Sequence, residues 1–164
     1  MKDEQKPDKK RSGSNGMGKK ASYSGFTKEE IEAMKERTRE MKAESTRNAR
    51  SNKVDNEKEV LSRIAEMPDH DRTIAERIHE LIRISAPSLS PRTWYGMPAY
   101  SIDNRIICFF QSSHKFKSRY STLGFSDKAL LDDGDMWPTS FAIKDLSTAV
   151  EEKIKTLLEK AVKL

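Results

Sequence analysis

At 164 residues, with a net charge of +5 and 35% charged side chains, the chain has room for one domain and an extension. No apolar run approaches the ~20 residues of a membrane-spanning helix, and the basic N-terminus has no apolar stretch behind it that would make a secretory signal. One cysteine, Cys108, excludes an internal disulfide and fits a reducing compartment, so a cytoplasmic location is the simple expectation.

Residues 1–24 carry seven Lys/Arg, three Asp/Glu and almost nothing that could be buried, which predicts a disordered basic tail. The other 140 residues hold 24 basic and 23 acidic side chains, so overall charge is poor evidence for nucleic-acid binding by the folded part. At Phe26 the character changes. Thr27 and Glu30 have capping-box spacing, and Phe26 with Ile31 has that of a hydrophobic staple. A helix is predicted from there towards residue 50. Its apolar positions, Ile31, Met34 and Met41, are too sparse for a core-facing stripe. Residues 25–55 therefore read as a charged helical arm, docked weakly if at all.

A compact domain is predicted over 56–164. Asn56 and Glu59 offer a second cap before VLSRIAEM, which Pro68 ends. In DRTIAERIHELIRIS, Ile74, Ile78, Leu81, Ile82 and Ser85 share one helical face, with Glu76, His79 and Arg83 towards the wet side, and Ala86-Pro87 stops the helix. Strands follow. Asp103-Asn104 between TWYGMPAYSI and RIICFFQ suits a two-residue hairpin, Ser112 to His114 makes a looser turn into KFKSRYSTLGF, and Pro98 suggests an edge or a bulge. SDKALLDDGDMWP reads as a short helical turn ended at Gly134, and SFAIK as a further strand. Thr148 and Glu151 cap a last helix with Val150, Ile154, Leu157, Leu158 and Ala161 in one stripe. The fold class is α+β: an antiparallel sheet packed on one face by amphipathic helices, its other face open to solvent or a partner.

Two clusters stand out as ligand-binding candidates. Trp94, Tyr95, Met97 and Tyr100 surround Gly96 in an aromatic group of the kind that lines small-molecule pockets or fills cores. In a strand, Lys115, Lys117 and Arg119 would form a basic row on one face, suited to a phosphate or carboxylate or simply to solvation. A third cluster is acidic: Asp132, Asp133 and Asp135 around Gly134, with Asp127 nearby, could attract a hard cation or merely form a turn. Glu76 and His79 at i, i+3 make a weak metal pair. Cys108 sits in an apolar run and should be inert. No nucleophile elbow or ordered triad is present, so catalysis is not supported.

From Glu66 onward the chain resembles the YdhG-like family of small bacterial proteins. The resemblance rests on Met67-Pro68, the stop at Ala86-Pro87, the run Trp94-Tyr95-Gly96-Met97-Pro98-Ala99-Tyr100, Phe109-Phe110, Leu123-Gly124-Phe125 and the amphipathic last helix. It implies a frataxin-like α+β fold with an N-terminal helical extension. It also implies a non-enzymatic cytoplasmic iron-binding or iron-delivery role, with weakly bound iron and iron–sulfur or haem assembly proteins as partners. The acids available for iron are Asp127, Asp132, Asp133 and Asp135. The alternative expectation is an interaction or ligand-binding module that offers an aromatic and basic sheet face to an anionic metabolite or nucleic acid, without a membrane partner.

Overall fold

The structure, a computed structural model, describes residues 25–46 and 52–163. The tail at 1–24 lies outside them. Among the described residues four helices, α1 (Lys28–Thr46), α2 (Asn52–Ala65), α3 (Asp69–Ser85) and α4 (Thr148–Val162), accompany five strands, β1 (Ser90–Trp94), β2 (Met97–Ile102), β3 (Arg105–Gln111), β4 (Ser121–Phe125) and β5 (Ser140–Ile143). The strands form one antiparallel meander in chain order. The α+β class is as expected. No described helix is long and apolar enough to cross a membrane.

Local chemistry accounts for the element ends. Thr27 and Glu30 make the reciprocal capping box at the start of α1, with the Thr27 amide donating to Glu30 (2.8 Å) and the Glu30 amide to Thr27 Oγ1 (3.2 Å). Helix α4 is capped one residue earlier than expected, by Ser147, whose hydroxyl accepts from the Val150 amide. Asn56 is not a cap, because α2 already begins at Asn52. Two tight hairpins shape the sheet. Asp103 and Asn104 have φ of 48° and 61°, and Tyr95 and Gly96 have φ of 52° and 71°, so each pair forms a two-residue turn with both residues left-handed. The stretch read as one strand from Trp94 to Ile102 is thus β1, a turn and β2. Pro98 pairs with Thr93 on the β1 side, and the β2–β3 ladder starts only at Ala99, so its missing N–H interrupts no ladder bond there. A bulge opposite Tyr100 and Ser101 leaves Ile107 as the extra residue, and both Ile107 and Cys108 enter the core.

The core joins three helices to one sheet face: Val60 and Ile64 from α2, Ile74, Ile78, Leu81 and Ile82 from α3, and Ile154, Leu158 and Ala161 from α4 pack with Tyr100, Phe110, Leu123 and Ile143. Arg77 clamps α3 to α4 through two parallel bonds to the Glu151 carboxylate, 2.8 Å each. On the opposite sheet face the Phe109 ring lies over Gly124, where any Cβ would run into it, and meets Trp94 at 5.2 Å between centroids. That face is not fully open. Near β1 it is closed by α1, and Met97, Ala99 and Arg92 are buried. The segment 126–139 contains turns rather than a helical turn, and 112–120 is a loop rather than the start of a strand.

Candidate functional site

The most unusual chemistry of the molecule lies where α1 meets the β1–β2 turn. A turn with two successive left-handed residues points its two amides outward, away from the ladder, and they need an acceptor. Glu40 supplies it: its carboxylate accepts from Tyr95 N at 3.0 Å and from Gly96 N at 2.8 Å. One helical turn earlier, Glu36 lies on the same face of α1 and pairs with the Lys115 ammonium and with Arg63 of α2, the latter at 3.0 Å. Lys115 also donates to the Tyr95 carbonyl at 3.2 Å, so both peptide groups of the tip are engaged. Glu36 and Glu40 are each about 8% exposed, low for carboxylates, and each is held by cations or amides. The pattern extends to both helix ends, with Glu29 paired to Lys117 and Glu44 to Arg92. The arm expected to dock weakly is therefore docked through acids, with Ala33 its only fully buried apolar side chain among the described residues.

Gly96 is necessary twice over. Its φ of 71° is strained for any residue with a Cβ, and such an atom would collide with the Glu36 carboxylate and the Lys115 ammonium. Beside the tip, Phe26, Met34, Tyr95, Met97, Gln111 and Phe116 line a small apolar cleft of about 220 Å³.

Lys115 is placed by a loop, and the loop is placed by Asp71. This side chain at the start of α3 is buried and accepts from the hydroxyls of Ser112, Ser113 and Ser121 and from the His114 amide. Burial pushes its carboxyl up, but the donors, Ser112 foremost, outweigh it and hold the pKa below the ordinary 3.8. Sequence reasoning missed this network. The available signal was the three serines, Ser112, Ser113 and Ser121, that flank one basic loop.

His79, expected on the wet side of its helix, is buried. Its Nδ1 is 2.9 Å from the Tyr100 hydroxyl, while Nε2 faces Glu57 at 3.5 Å and has no hydrogen-bond partner. Burial lowers the His79 pKa below 6.5, more strongly than Glu57 raises it, and burial raises that of Tyr100. A neutral imidazole beside an un-ionised phenol results, a packed polar pair inside the core. Cys108, the strand partner of Tyr100, is buried as expected, and burial pushes its thiol up to about 12, which disfavours the thiolate.

The expected site residues divide accordingly. Trp94, Tyr95, Met97, Lys115 and Lys117 gather around the tip and α1. Tyr100 does not, because alternation turns it into the core. Arg119 stacks on Tyr120 at 5.3 Å instead of continuing a basic row, since the row belongs to a loop with Lys117 left-handed. Asp127, Asp132 and Asp135 line one cleft of about 510 Å³ with Trp137, while Asp133 is not on its wall. Asp127 pairs with Lys128 at 3.0 Å. Among the described residues no three His, Cys, Asp or Glu side chains group to hold a metal ion.

Comparison with protein-family models, curated proteins and solved structures finds no match for this chain.

Proposed function

We propose that this protein is a non-enzymatic binding module whose recognition surface is the Tyr95–Gly96 tip with Lys115, and that it takes carboxylates carried on a helix. One observation carries this: a single Glu40 carboxylate receives both tip amides, and Glu36, at i−4, receives Lys115. Helix α1 is then an occupant supplied in cis, and a partner presenting two acids four residues apart competes with it. Charge-assisted bonds of this kind contribute about 1.5–3 kcal/mol each, which is enough to seat a helix with few apolar contacts and small enough to allow exchange. Nucleic acid fits less well, because a phosphate backbone would first have to displace Glu36 and Glu29 from Lys115 and Lys117.

The test uses the full chain with Glu36→Gln and Glu40→Gln, which vacates the tip. A labelled peptide with the sequence of residues 27–46 should bind this variant and bind the unaltered chain much more weakly. Equal binding to both, or none to either, defeats the proposal.

Iron binding is the second candidate, from the YdhG-like resemblance, and one feature favours it: Asp127, Asp132 and Asp135 share a cleft. Ferrous iron titrated into the protein should then bind, and Asp132→Asn with Asp135→Asn should abolish it. Iron that binds the variant as well as the parent removes this cleft from consideration.

A further inference from the structure

We infer a second site, for a small molecule bearing a phosphate or carboxylate, in the cavity between α1, α2 and the β1–β2 ribbon. The cavity measures about 480 Å³, and its walls include Arg37, Lys53, Ser90, Arg92, Ser101 and Asn104, with Glu44 and Asp103 as the acids. None of these is Tyr95, Gly96 or Lys115, but Arg37 and Glu44 belong to α1, so the site exists while α1 is docked, and its test in that state does not depend on whether a partner can replace α1.

Arg92 is the reason to expect an anion here. Its side chain is over nine-tenths buried and Glu44 meets it at Nη2, yet among the described residues Nε is buried without an acceptor. A guanidinium in that position normally has its in-plane donors satisfied, since an unmet buried donor is costly. Glu44 is half-exposed and sits on a helix held elsewhere by Glu36 and Glu40, so it can swing away. A ligand oxyanion in its place can engage Nε and Nη2 side-on as a bidentate pair, the geometry that guanidinium groups offer and ammonium groups do not. Burial and the like charge of Arg37 both weigh against the Arg92 cation, and an anion between the two relieves the second. The Ser90 and Ser101 side chains and Asn104 at the β2–β3 turn supply neutral polar groups for the rest of a small ligand.

The experiment titrates the full chain with inorganic phosphate and, separately, with succinate at constant ionic strength, following amide chemical shifts of Ser90, Arg92, Ser101 and Asn104. Saturable shifts with either probe are expected, and the probe that binds more tightly names the headgroup class. Arg92→Lys, which keeps the charge and loses the fork, should weaken binding about tenfold or more. Glu44→Gln, which removes the competing carboxylate, should tighten it. Because Arg92→Lys can also disturb folding, Arg37→Gln with Lys53→Gln provides a second weakened variant on the more exposed wall. The site is refuted by non-saturating shifts with both probes, or by affinities unchanged in Arg92→Lys, Glu44→Gln and the double variant alike.

Discussion

At the scale of single residues, two buried polar groups set how the fold responds to acid. The carboxyl of Asp71 is held below its ordinary 3.8, so the stability it contributes is present above that value and is lost as pH falls through the lower, folded-state pKa. His79 behaves differently in detail: its pKa is lowered from 6.5, so the unfolded chain takes up a proton first, and stability begins to fall once pH drops below 6.5. Two steps of acid destabilisation are expected in urea melts, the first below neutrality and the second in the carboxylate range. His79→Gln should remove the upper step, and an upper step that persists in that variant would assign it to another group. Asp71→Ala leaves three hydroxyls and an amide without their acceptor and should cost about 3 kcal/mol, with the Lys115 loop loosened. A change within ~0.5 kcal/mol would mean that the network is solvated rather than structural. Neither residue was legible in the sequence. A helical wheel for α3 assumed one buried face, whereas α2, α4 and the sheet press on it from several sides and bury His79 while leaving Ile84 exposed. The partners of Asp71 lie 41 to 50 residues away, beyond the reach of any local pattern.

At the scale of elements, local signals were legible and non-local ones were not. The capping box that starts α1, the Asp103–Asn104 hairpin and the apolar stripe of α4 each depend on residues a few positions apart, and each is present. The Tyr95–Gly96 turn was obscured because a tyrosine seldom sits at positive φ and neither Asn nor Asp marks the spot. Docking of α1 was obscured for another reason. Counting Ile31, Met34 and Met41 asks how much grease the helix can bury, and Met41 is indeed exposed, but the attachment is polar and uses Glu29, Glu36, Glu40 and Glu44. Gly96→Ala is the sharpest probe at this scale. Left-handed strain of about 1 kcal/mol, added to the collision with Glu36 and Lys115, should release α1 while the core stays folded. Helical amide signals from Lys28 to Thr46 should weaken or shift, while those of β3 remain. Gly124→Ala should act elsewhere, tilting the Phe109 ring and lowering the melting temperature without touching α1. If both variants leave their neighbours unmoved, the close approaches at these glycines are looser than described.

At the scale of the whole molecule, a nearly neutral folded part conceals strong local order in its charges. Acids concentrate on one face of α1, and their partners lie on the hairpin tip, the Asp71-anchored loop and α2. Net charge could not show this, because complementary charges within one chain cancel in the sum. The same complementarity makes the attachment sensitive to salt, since half-exposed pairs such as Lys117–Glu29 are screened at high ionic strength, more than the buried Glu40 bonds are. The central claim is that the Glu40 carboxylate caps the Tyr95 and Gly96 amides, and amide hydrogen exchange at those two positions measures it most directly. Both amides should be protected in the unaltered chain and should lose that protection in Glu40→Gln, while exchange in β3 stays slow. Fast exchange at Tyr95 and Gly96 in the unaltered chain, or equal protection in the variant, would contradict the claim.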